Sequence, residues 1–135
     1  MSERIVPLTE EELDLLRSMF DLARTGATEQ LAAAVEAGIP VNLTNEVGDS
    51  LLMLAAYHDH PDTVRMLLDH GADTARVNDR GQTALGAAVF RRAERSVGYL
   101  LAAGADPALG PRSALDIARF FDLPEMLALL QEPRG

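Results

Sequence analysis

The chain has 135 residues, 47% of them hydrophobic and 24% charged, the composition of an ordinary globular domain with enough apolar side chains for a continuous core. With 12 basic and 21 acidic residues its net charge is −9, so phosphate backbones and anionic lipid repel it, and no basic run in the sequence offsets this. Cysteine is absent, which excludes disulfides and thiolate metal sites and fits a reducing compartment.

The segment Met1–Pro7 lacks the basic start and apolar run of a signal peptide. No apolar run of about 18 residues follows anywhere, so no transmembrane helix is expected. The expected location is the cytoplasm. Thr9-Glu10-Glu11-Glu12 reads as a capping box at the start of a helix, with three acids suited to the positive end of the helix dipole. Leu13, Leu15, Leu16, Met19, Phe20, Leu22 and Ala23 follow at helical spacing. Thr25-Gly26-Ala27-Thr28 breaks this helix, and a second one runs from Glu29 to Ala37 and stops at Gly38.

Gly38 begins a series. Gly38, Gly71 and Gly104 are each 33 residues apart, and so are Gly48 and Gly81. Ser50-Leu51-Leu52-Met53-Leu54-Ala55 returns as Thr83-Ala84-Leu85-Gly86-Ala87-Ala88, and again as Ser113-Ala114-Leu115-Asp116-Ile117-Ala118. In each copy the hydroxyl caps a short helix: Leu51 to Tyr57, Ala84 to Phe90 and Ala114 to Phe121. A second helix follows each, with Pro61 and Pro124 at first positions and Val64, Leu67, Leu68, Val97, Leu100 and Leu101 facing inward. The chain takes 12 steps from Gly71 to Thr83 but 9 from Gly104 to Ser113, so the last loop is shorter, with Gly110-Pro111 as a tight turn. The last helix, Glu125 to Gln131, leads directly to Pro133-Arg134-Gly135, which marks a closing unit.

A 33-residue period with these motifs resembles the ankyrin repeat, a β-turn followed by two helices with the signature Thr-Pro-Leu-His-x-Ala. The likeness covers nearly the whole chain and is closest to a small, four-repeat, bacterial-type single-domain member. It implies an all-α solenoid of four helix-turn-helix units with short β-turn fingers and degenerate end repeats. The chain, 1–135, is then one domain with repeats at about 9–38, 39–71, 72–104 and 105–132. Leu52, Leu85 and Leu115 should form one ladder of the core, and Ala55, Ala88 and Ala118 the close helix contact. The chain departs from the family at the signature Pro, absent in every copy, and at the His, replaced by Met53, Gly86 and Asp116. In the family that His ties helix to loop, so these loops should be less firmly held. Ser113-x-x-Asp116 offers a reciprocal cap in partial compensation, and Gly86 should leave the third repeat with the softest first helix.

Chemistry of catalysis is not evident. No phosphate-binding loop or nucleophile elbow occurs. His58, His60 and His70 lack the spacing of metal ligands on one helix face. No catalytic, cofactor or metal residue is assigned, and no enzyme activity is expected. In the family, partners bind the concave face, which here implies Tyr57 and His58, Phe90 and Arg91, and Phe120 and Phe121 at the ends of the first helices. Four of the six aromatic residues fall there, which would make an apolar stripe for partner contact, or else fill gaps between repeats. Phe120 and Phe121, in the last repeat, are the pair freest to tuck inward. The finger tips Glu46, Val47, Asp79 and Arg80 are the second set. The expected function is a non-enzymatic protein–protein interaction module. The alternative is an accessory subunit of another cytoplasmic enzyme, or self-association through the same stripe. The partner is another protein, not nucleic acid or membrane, and the chain is a monomer or weak homodimer.

Overall fold

A computed structural model describes residues 7–132. The expectations about Met1–Val6 and Pro133–Gly135 lie outside the described residues. Within them the chain forms eight helices and no strand beyond one antiparallel bridge between Thr44 and Ser50.

Each first helix starts on a hydroxyl. α1 (Glu10–Thr25) begins with a complete capping box: Thr9 Oγ1 accepts from the Glu12 N–H at 3.1 Å, and the Glu12 carboxylate accepts from the Thr9 N–H at 2.9 Å. α3 (Leu51–Tyr57), α5 (Ala84–Phe90) and α7 (Ala114–Phe120) open on Ser50, Thr83 and Ser113, whose hydroxyls accept from the amides of Met53, Gly86 and Asp116. At Ser113 only this half of the expected reciprocal cap forms. The second helices are α2 (Thr28–Glu36), α4 (Pro61–Asp69), α6 (Glu94–Ala102) and α8 (Pro124–Gln131). Prolines at the start of α4 and α8 leave no helical hydrogen bond unmade.

First helices stack on first helices, in the order α1, α3, α5, α7, and second helices on second helices, in the order α2, α4, α6, α8. The core lies between these two layers. Leu52 and Leu85 are buried, as are Ala55, Ala88 and Ala118. Leu115 is only half-buried, because no further first helix covers α7 among the described residues. Leu68 is likewise half-buried, while Val64 and Leu67 are sealed.

Two expectations about weak points change. Gly86 is not simply a soft spot. A Cβ there would lie 3.1 Å from Ile117 Cδ1 and 3.2 Å from Thr83 Oγ1, so α7 approaches α5 where glycine permits it. Nor are the loops left untied by the missing histidine. Asn45 Oδ1 accepts from the N–H groups of Val47 and Asp49, and Asn78 Oδ1 from those of Arg80 and Gln82. The two fingers also bond to each other: the Asp79 N–H donates to Val47 O at 3.0 Å, and Asn78 Nδ2 to Asp49 Oδ1 at 2.7 Å. The short last loop folds against the finger before it, with the Arg112 N–H donating to Gly81 O at 3.3 Å.

Candidate functional site

The first-helix layer and the fingers enclose a groove of about 740 Å³. From the helices come Met53, Leu54, Gly86, Ala87 and Ile117, with Tyr57, Phe90, Phe120 and Phe121 at the helix ends. The fingers contribute Asp49, Asn78, Arg80 and Gln82, and the short last loop Pro111 and Arg112. Arg24, His58, Thr83 and Asp116 complete the lining.

The aromatic residues form a continuous exposed run. Tyr57 and Phe90 lie parallel, with ring centroids 6.2 Å apart and planes 7° from coplanar. Phe90 meets Phe121 edge to face at 5.4 Å, and Phe121 meets Phe120 at 4.9 Å. Their exposures are 43% for Tyr57, 45% for Phe90, 82% for Phe120 and 47% for Phe121. The expected inward tuck of Phe120 and Phe121 therefore does not occur. Ile117 already occupies the space beside Gly86, and the aromatic pair stays outside. Aligning the Thr83 and Ser113 caps, 30 residues apart because of the shorter loop, pairs Phe90 with Phe120, yet it is Phe121, the residue just after α7, whose ring meets that of Phe90.

Other sequence-derived candidates are distributed as follows. Arg91 sits outside the lining but holds its guanidinium 5.6 Å from the centre of the Tyr57 ring, a cation–π distance. His58 stands edge-on to Tyr57 at 5.2 Å. Its pKa falls below the ordinary histidine value, first because of partial burial and then because His60, Arg24 and Arg91 add positive charge nearby. Arg80 lines the groove, whereas Glu46, Val47 and Asp79 do not. The Val47 carbonyl is taken up by Asp79 within the pair of fingers.

The other two histidines have structural partners. His60 Nε2–H donates to the Arg24 carbonyl at 2.7 Å, closing the end of α1. His70 Nδ1–H donates to Met66 O at 2.8 Å, and its Nε2 faces Glu36 at 3.1 Å. With oxygen at both ring nitrogens the cation is favoured, so the pKa of His70 is raised, chiefly by the Met66 bond. Among the described residues no three His, Asp or Glu side chains are grouped to hold a metal ion, and no helix is long and apolar enough to cross a membrane.

Arg24, the counterpart of Tyr57 and Phe90 in the first repeat, enters from α1. Sequence reasoning missed two groups of lining residues. The signature column that loses its histidine, Met53, Gly86 and Asp116, faces the groove in all three repeats, and its variability was the available signal. Pro111 and Arg112 enter because the short loop folds back, which loop length alone does not reveal.

Residues 19–109 match the family model for ankyrin repeats in three copies. The chain belongs to the ankyrin repeat family. It resembles the human ASB11 ankyrin repeat domain with a TM-score of 0.75 at 26% identity, over 83% of this chain and 52% of that one. An ankyrin repeat protein of Pseudomonas aeruginosa is 50% identical over 56 residues, which is 42% of this chain and 33% of the relative. The human NAD-capped RNA hydrolase NUDT12 is 48% identical over 50 residues, 37% of this chain but 11% of the enzyme. The chain thus spans a third or less of these two relatives. Ankyrin repeats generally mediate protein–protein interaction, and the fold is typically non-enzymatic.

Proposed function

We propose that this ankyrin repeat chain is a non-enzymatic binding module of the cytoplasm that takes a partner protein into its concave groove. The observation that carries the reading is the exposed run of Tyr57, Phe90, Phe121 and Phe120 along the rim of the groove. Rings left this exposed add less to folding than buried ones would, whereas rings already in contact lose little freedom on meeting a partner. His58, Arg91, Arg80, Glu46, Val47 and Asp79 would then frame the contact. Four repeats at 1–135 form the single domain that presents it.

The test is capture by wild-type protein against a Tyr57→Ala/Phe90→Ala variant, with thermal melts of both. The expected result is a captured partner lost from the variant, with melting within a few degrees of wild type. Unchanged capture together with a much lower melting temperature would assign the rings to packing instead. Sedimentation of the pure protein at high concentration separates partner binding from self-association, for which a monomer is expected.

A further inference from the structure

The groove collects positive charge in a chain whose net charge is −9. Every basic residue other than histidine is arginine, since the sequence contains no lysine. Arg24, Arg80 and Arg112 line the groove and Arg91 stands at its rim. Arg24 is paired with Asp21 at 2.9 Å. Arg80, Arg91 and Arg112 make no ion pair within the described residues, although the chain offers acids in excess. Of the two carboxylates in the lining, Asp49 already accepts the Asn78 amide at 2.7 Å, which leaves Asp116 as the open one. Unpaired guanidinium groups beside stacked rings are a preformed receptor for carboxylates next to apolar side chains.

Resting on the concave-face reading above, we infer that the groove's occupant is an acidic segment of a partner protein, in which Asp or Glu residues flank an aromatic or leucine anchor. The anchor sits against Tyr57 and Phe90, and the carboxylates face Arg80, Arg91 and Arg112. His58 lies beside these cations: its pKa is lowered first by partial burial and, after that, by the positive charge of His60, Arg24 and Arg91. A uniform polyanion such as single-stranded RNA is disfavoured, because the acidic surface outside the groove repels every phosphate that extends beyond it.

The probe is a displayed library of random peptides of about twelve residues, long enough to lie along the stacked first helices. It is selected on three proteins: wild type, Arg80→Ala/Arg91→Ala/Arg112→Ala, and Tyr57→Ala/Phe90→Ala, each checked for a cooperative melt. The expected result is enrichment on wild type of peptides with acids beside Phe, Tyr, Trp or Leu. Their affinity should fall on the order of tenfold in the triple arginine variant and fall again as salt rises. The His58 resonance should titrate at higher pH in the complex. Neutral or basic peptides lost only from the Tyr57/Phe90 variant would overturn the acidic occupant and leave concave-face binding standing. Peptides bound equally by all three proteins, or none selected at all, would overturn both. Displacement of the selected peptide by a single-stranded RNA oligomer at comparable concentration, or head-to-tail association of the chain lost in the arginine variant, would replace the partner segment with a different occupant.

Discussion

Four residues at the same place in the four repeats turn the chain from first helix to second: Gly26, Asp59, Arg92 and Asp122. Their φ values are 74, 59, 56 and 52°, all left-handed. Only the first is glycine. An ordinary L-residue held there costs about 1–2 kcal/mol, and aspartate, which visits this region far more readily, costs less. Glycine removes the strain but gives back about 0.5–1 kcal/mol through the greater freedom of the unfolded chain. Arg92 is exposed and makes no ion pair within the described residues. The hydrogen bonds at its turn, from the Arg92 N–H to Val89 O and from the Glu94 N–H to Arg92 O, are backbone bonds that survive substitution. Arg92→Gly should therefore stabilise the protein by roughly 0.5–1 kcal/mol, and Asp59→Gly by close to nothing. For a chain of this size that is a rise of about 2–4 °C in melting temperature. Circular-dichroism melts of wild type, Arg92→Gly, Arg92→Ala and Asp59→Gly decide the matter. Arg92→Ala removes the same side chain without freeing the backbone and should gain nothing. If it matches Arg92→Gly, or if Asp59→Gly gains as much, the strain argument is wrong.

Ser96 is fully buried and its hydroxyl has no partner, whereas Thr63, one repeat earlier, shares a 2.7 Å hydrogen bond with Thr28. Ser96→Ala should be neutral or stabilising by about 1 kcal/mol, and Thr63→Ala destabilising by a similar amount, in urea unfolding. Equal losses would mean that Ser96 is satisfied in solution. Leu85→Ala, at a buried core position, should cost about 2–5 kcal/mol, while Asp79→Ala on an exposed finger should cost under about 0.5 kcal/mol. Comparable melting temperatures would put the repeats in the wrong register. In an NMR pH titration His70 should lose its proton at higher pH than His58. A raised folded pKa means that the stabilisation by His70 is complete below the unfolded value and fades as pH rises through the folded one. The stability advantage of wild type over His70→Gln should therefore shrink as pH rises above neutrality, and a growing advantage would refute it.

The helices and their order were legible because the period of 33 is carried by residues with little choice. Ser50, Thr83 and Ser113 must cap, Pro61 and Pro124 fit a first turn, and Leu52 and Leu85 meet nearly identical neighbours in successive repeats. Where neighbours stop being alike, the alignment misleads. Leu115 is only half-buried because, within the described residues, no further first helix packs against α7, and Phe121 rather than Phe120 makes the contact with Phe90. The loops were judged by the histidine they lack, yet Asn45 and Asn78 hold them, a local side-chain bond that any turn-rich segment can hide.

The groove was half legible for a related reason. Residues that bury themselves between repeats face the same surroundings in each one, so their identity repeats. Groove-facing residues have solvent or a partner opposite them and are free to vary: Met53, Gly86 and Asp116 in one column, and His58 and Phe121 in another, whose Arg91 stands at the rim. Their variation looks like decay of the motif when the repeats are compared one by one. The positive charge is harder still to see, because Arg24, Arg80, Arg91 and Arg112 belong to four different columns and four different elements and never form a run in sequence. Only the stacking of the repeats brings them to one side. Net charge, at −9, points away from the local field, and in a repeat protein the local field is what a ligand in the groove encounters.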